Sequence, residues 1–249
     1  MNTYRTSEEY QNNIRKIQKG THIPVFQRYL IVVCPQDDMI KAFDSVTSST
    51  QATNLITATV NQIPTWKGPI ISVIDYHDGK SQLPDDEHIC RFSQFAHTPH
   101  NKVNNAGEAA TTIAKEFRDA VSNKFVSHNF YGFIERNGDN EDAPLTNLLN
   151  IIEDVTQTHT QRSLDTVVFP PEFHIKGLFI EDMITPIALE LRKRYPNSVI
   201  RVDNCLSIFH IANGSYSKSV NDAAVGRLNR MLNTYAETSI DDVCADIGK

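Results

Sequence analysis

The apolar positions of the chain alternate between runs with the period of a strand and stripes with the period of a helix. Tyr29–Cys34 (YLIVVC) is a continuous run rich in β-branched residues, the pattern of a strand buried on both faces. Leu55, Ile56, Thr59, Val60 and Ile63 then share one helical stripe, which ends before Pro64. Ile70–Asp75 (IISVID) predicts a second buried strand. Ile113, Ala114, Phe117, Ala120 and Val121 form the apolar face of a helix predicted over Gly107–Asn123. A third strand is expected to begin near Lys124, in KFVSH, and a fourth to span Phe173–Phe179. Ile184, Ile187, Ala188, Leu191 and Tyr195 make the next helical stripe, stopped by Pro196. Ser198–Val202 reads as a fifth strand, and Val225, Leu228, Leu232 and Tyr235 mark a last helix.

Strand–helix alternation of this kind builds βαβ crossovers, so the predicted fold is α/β: a three-layer αβα sandwich with a mainly parallel central sheet. Gly79–Lys102 and Asn137–Pro171 break the pattern and read as surface loops or insertions. The second of them is expected to hold a short helix at Leu145–Ile152 and a strand at Thr166–Phe169. The first twenty residues read as an appended polar helix. The expected division is therefore a polar extension over residues 1–24 and one domain over residues 25–249.

Composition narrows the function classes more than it selects one. With 24 Lys and Arg against 30 Asp and Glu the net charge is −6, which argues against a broad nucleic-acid surface. No uncharged apolar run reaches the roughly 18 residues of a membrane span. The N-terminus lacks the apolar stretch of a secretory signal, and a cytoplasmic location is expected. Cys34, Cys90, Cys205 and Cys244 are scattered without a CxxC pair, as expected of reduced thiols rather than of disulfides or a zinc cluster.

In an open parallel sheet, ligands bind beyond the carboxyl ends of the strands. The segments predicted there are VVCPQDDM (32–39), VIDYHD (73–78), Lys124 ahead of Phe130-Tyr-Gly-Phe133, GLFIEDMITPIAL (177–189) and RVDNC (201–205). In order and spacing they resemble the isochorismatase-like cysteine hydrolases, which include the nicotinamidases. The closing AVGRLNRMLNTYAETSIDDV is similar to that family's last helix and strand, so the resemblance runs from about residue 28 to 245.

The resemblance implies a triad of Asp, Lys and nucleophilic Cys, in which the thiolate attacks an amide or imine carbon. Its three positions fall on Cys34, Lys124 and Met183. A thioether has no proton to lose and forms no acyl-enzyme, so two of the three positions have changed and the family mechanism cannot run as it stands. The resemblance further implies that Gln36 and Asp38 shape the pocket, with Tyr131, Phe133, Glu181 and Asp182 as substrate-binding neighbours. It sets Cys205 on a non-catalytic cysteine. Asp75 and His77 match an Asp-x-His pair with which nicotinamidases hold a divalent ion. The family spacing sets a further ligand six residues after His77, where this chain has Leu83. The pair is accordingly read as hydrogen-bonding groups at a strand end. No cofactor is expected, a divalent metal such as zinc being the alternative. His88, Cys90, His97 and His100 are irregularly spaced and read as a solvated loop.

Three classes of function follow. The first is a catalytically degenerate relative that keeps a small-molecule pocket or acts within a homo-oligomer, with no nucleic-acid or membrane partner. The second is an active amide-type hydrolase rearranged around Cys34, Lys124 and either Asp182 or Glu181. The third is a structural or regulatory protein whose pocket has closed.

Overall fold

The computed structural model describes residues 4–76, 113–122, 129–135, 148–154, 165–207, 216–232 and 238–249. Its elements are α1 (Glu8–Gln18), β1 (Ile23–Val25), β2 (Arg28–Val33), α2 (Asp37–Thr47), α3 (Gln51–Gln62), β3 (Ile70–Tyr76), α4 (Lys115–Ser122) and β4 (Asn129–Glu135). They continue with β5 (Thr166–Val168), β6 (Glu172–Leu178), α5 (Thr185–Arg194), β7 (Val199–Leu206), α6 (Lys218–Leu232) and α7 (Ile240–Ile247). A helical segment also covers residues 148–154.

Five strands form one sheet in the order β4-β3-β2-β6-β7, and every pairing in it is parallel. The chain winds outward from β2 through β3 to β4, then restarts at β6 and winds the other way to β7. Right-handed crossovers put the helices of the two halves on opposite faces, which gives the expected three layers. The reversal of direction lies between β2 and β6. Residues 29–33 of β2 are fully buried, as their unbroken apolar run requires of a central strand.

Several elements depart from the sequence expectation. No helix was expected directly after the first buried strand, but Gln36 is the N-cap of α2 and Asp37 and Asp38 lie in its first turn. Acidic residues suit that end of a helix, and buried Met39, Ile40 and Phe43 give α2 its apolar stripe. KFVSH lies outside the described residues, and the third strand of the main sheet is described over Asn129–Glu135. Phe130–Phe133 lies inside β4, with Tyr131 opposite Ser72 and Phe133 opposite Ile74 of β3. The described part of the helix predicted over Gly107–Asn123 starts at Lys115, and Ile113 instead bridges to Gln36. The last segment is helical where a strand was expected. Ser239 and Asp242 form a reciprocal capping box that starts α7.

The N-terminal helix is less polar than its composition suggests. Tyr10, Ile14 and Ile17 are buried in a second small core with Val167, Phe169 and Val243. Asp246 of α7 accepts hydrogen bonds from Arg5 Nε and Nη2 (both 2.6 Å), Tyr10 Oη (2.8 Å) and Lys249 Nζ (2.7 Å). Next to this joint, β1 and β5 pair in parallel as a separate two-stranded sheet. Each runs straight on into β2 or β6, so this subassembly lies at the amino edge of the main sheet.

Among the described strands β7 is an edge, and its exposed backbone groups are satisfied by α6. Asn229 Nδ2 donates to Val202 O at 2.7 Å while its Oδ1 accepts from Val202 N at 3.2 Å. Asn221 does the same one step further on, donating to Cys205 O at 2.7 Å and accepting from Ser207 N at 2.9 Å. Two side-chain amides thus stand in for a neighbouring strand. Replacing Asn221 with Leu should leave a buried N–H and C=O without these partners and cost about 2 kcal/mol. Urea denaturation reads this, and a loss within about 0.5 kcal/mol would exclude the role.

Candidate functional site

Glycine at position 177 brings the two halves of the sheet into close contact. Gly177 pairs with Val33 across β6 and β2, with φ at +130°. A Cβ built there would lie 2.1 Å from Val33 O, so no larger residue fits. Two residues later Phe179 adopts a left-handed conformation (φ +64°), and the chain enters a π-helical turn over Ile180–Ile184. Met183 N and Ile184 N both donate to Phe179 O at 3.1 Å. Thr185 Oγ1 donates to Ile180 O at 2.7 Å and ties this turn to α5, where Pro186 occupies the first turn and needs no donor.

The turn delivers Met183 to the end of β2. Cys34 Sγ donates to Met183 Sδ at 3.2 Å, with Cys34 fully buried and Met183 8% exposed. Cys34 has a positive φ of 52°, unusual for a residue with a side chain, and its N–H donates to Val73 O at 2.7 Å. Gln36 is also fully buried. These two sulfur side chains meet between β2 and β6, the place where the direction of winding reverses and where open α/β sheets hold their ligands.

On the far side of the turn, Ser207 Oγ donates to Glu181 Oε1 at 2.5 Å. Ser207 is fully buried at the carboxyl end of β7 and was not singled out in the sequence. A serine beyond a strand end carries no signal of its own until the fold sets it against Glu181. Cys205, one strand over from the sulfur pair, donates to Ile175 O and Asp203 O. Burial pushes its thiol far above the ordinary range, and Asp203 adds to that, so it serves as a packed hydrogen-bond donor.

Asp75 lies at the carboxyl end of β3, with its backbone opposite Ile134, while Lys124 and His77 fall outside the described residues. Strand β4 reaches the carboxyl edge at Glu135. Asp38 and Asp182 are described by their helical backbone alone. Among the described residues no cluster of three His, Cys, Asp or Glu side chains is arranged to hold a metal ion. No helix among them is long and apolar enough to cross a membrane.

No family model matches the sequence, and no curated protein matches it either. Among solved structures, the chain is similar to an isochorismatase family protein from Desulfovibrio vulgaris subsp. vulgaris str. Hildenborough. That likeness has a TM-score of 0.50 at 13% identity and covers 89% of this chain and 100% of the other. Nicotinamidase PncA from Bacillus subtilis matches with a TM-score of 0.48 at 13% identity, over 86% of this chain and 100% of that one. A structure of nicotinamidase/pyrazinamidase PncA from the same organism gives 0.49 at 14% identity, over the same shares of 86% and 100%. The chain has the isochorismatase-like fold, a three-layer α/β sandwich around a parallel sheet.

Proposed function

We propose that this chain is a non-hydrolytic protein of the isochorismatase fold that holds a small planar amide or acid at the carboxyl edge of its sheet without turning it over. The observation that carries the reading is the 3.2 Å contact from the Cys34 thiol to the Met183 thioether. Met183 occupies the helix-opening position at which the resemblance sets a nucleophilic cysteine, and its sulfur has no proton to give up. Cys34 occupies the position of the acid that would take that proton. Its thiol is directed at that neutral sulfur, which takes up no proton. What such a site retains is shape, polarizable sulfur and burial, which suit binding of a flat apolar ring.

Cys34 itself favours a second reading, an active hydrolase built on this thiol. A non-glycine residue with φ of 52° directly after a strand is the kind of strained position at which nucleophiles are displayed. Thiol labelling separates the two. The binding reading expects slow labelling of Cys34 and no ammonia released from nicotinamide, benzamide or short aliphatic amides. It also expects a rise in melting temperature with at least one of those ligands. Rapid labelling, together with turnover that disappears in Cys34→Ser, would establish the hydrolase instead. No thermal shift with any ligand would remove the binding reading.

A further inference from the structure

A concave site lies away from the sulfur pair, between α3 and α6 where β7 ends. It is a groove of about 530 Å³, within the size range of small-molecule sites. Its floor is apolar and buried, made by Leu55, Leu206 and Cys205. Its rim carries the side-chain amides of Gln51, Asn54 and Asn204.

Two local features that cost stability converge on this groove. The first is a bulge in β7. Val202 pairs with Ile175 and Cys205 with Gly177, so two residues, Asp203 and Asn204, face the single Lys176. Asn204 takes up the extra length with a left-handed backbone (φ +47°), at a cost on the order of 1 kcal/mol. The second is Gly226, a glycine inside α6, where alanine would be about 1 kcal/mol better. Packing does not require it. A Cβ at Gly226 would meet only the end of the Arg230 side chain, at 3.6 Å. A helix glycine without a packing reason leaves a strip of backbone open toward the groove, against which a flat ring can lie.

The charges in the groove are internally matched. Asp203 pairs with Lys176 at 2.6 Å, and Asp222 pairs with Lys218 one turn away on α6. What is left to recognise a ligand is three amides above an apolar floor, with Tyr216 also lining the groove. Asn54 gives one N–H to Thr50 Oγ1 at 3.2 Å and keeps its second N–H and its oxygen. We infer that this groove is a binding site for a neutral heterocycle bearing hydroxyl or amide groups, of nucleoside size, separate from the site at Cys34 and Met183. Asn221 joins the two regions: it lines the groove and holds the backbone of Ser207, whose hydroxyl binds Glu181 in the π-helical turn. The floor thiol of Cys205 stays protonated on its carbonyl partners, so the binding is non-covalent.

The test uses the full chain with adenosine and uridine as probes and adenosine monophosphate as the charged counterpart, read by calorimetry and thermal shift. At least one nucleoside should bind, and the phosphate should bring no gain. Gly226→Leu places a side chain in the groove while improving helix propensity, and circular dichroism confirms its fold before binding is read. It should weaken binding about tenfold or more. Asn204→Gly relieves the left-handed strain, removes one rim amide and should also weaken binding. Cys34→Ser should leave nucleoside binding unchanged, which keeps this result separate from the outcome at the sulfur pair. No binding of either nucleoside at millimolar concentration overturns the inference, as does binding that Gly226→Leu and Asn204→Gly leave intact.

Discussion

Replacing Gly177 with alanine should abolish stable folding of the main sheet. The added Cβ would lie 2.1 Å from Val33 O and 2.7 Å from Val33 N, backbone atoms of the central strand that cannot move aside without breaking the β2–β6 ladder. The φ of +130° adds strain that no side-chain rearrangement relieves. Together these place the variant at the severe end of single substitutions, a loss of about 4 kcal/mol or more. Circular dichroism and urea denataturation of the purified variant measure it. A Gly177→Ala protein with a near-native midpoint would mean that β6 and β2 do not approach each other as closely as described. The same substitution matters for the site, because this close approach brings the π-helical turn and Met183 onto Cys34.

A second large effect is expected at Glu172, on the opposite edge of the sheet. Its carboxylate is only 2% exposed and contacts Arg28 (3.2 Å), His174 (2.7 Å) and Arg201 (3.3 Å), with Trp66 edge-on to the His174 ring. Burial alone would raise its pKa. The hydrogen bond from His174 and the charges of Arg28, His174 and Arg201 outweigh burial and bring it from 4.5 down to about 2. A depressed carboxyl pKa contributes stability above the unfolded value, and that contribution is lost as pH falls through the folded one. The wild-type chain should therefore lose about 3 kcal/mol of stability between roughly pH 5 and pH 2 from this group. Glu172→Gln should be less stable by about 3 kcal/mol at neutral pH, because it leaves Arg28 and Arg201 without their buried counter-charge and His174 without its carboxylate partner. Its stability should also fall less steeply below pH 5. Urea denaturation as a function of pH tests both statements, and an unchanged acid slope in the variant would exclude Glu172 as its source.

Glu172 also illustrates what the apolar pattern conceals. FHIKGL reads as a buried strand because Phe173, Ile175 and Gly177 face the core. The alternate positions Glu172, His174 and Lys176 are nevertheless buried or nearly so. Their partners Arg28, Arg201 and Asp203 come from neighbouring strands and are remote in sequence. A period-two pattern identifies a strand, and it does not report which charged residues will find counter-charges once strands pair. The helix α2 was missed for a related reason. Its short stripe of Met39, Ile40 and Phe43 directly follows a strand end whose polar residues also suit a turn.

The site was legible in one respect and hidden in another. Cys34 and Met183 could be singled out from motif order, and the parallel sheet brings them within 3.2 Å across the switch in winding. Lys124 was singled out from its place ahead of Phe130–Phe133 and falls outside the described residues, while β4 is described from Asn129. An apolar run interrupted by polar residues leaves strand register free by several positions, and only pairing with β3 removes that freedom.

From the amino-acid order alone came the buried strands, the amphipathic helices and hence an α/β sandwich. These depend on local periodicity and on the chain's need to bury apolar area. The order of residues likewise showed that no cysteine stands at the helix opening after β6. Tertiary structure alone decided the strand order, the meeting of the two sulfur side chains, the charged cluster around Glu172, the amide cover on β7 and the groove below α6. Each of these joins residues far apart in sequence, and their contacts exist only once the long-range pairings of the sheet have been made.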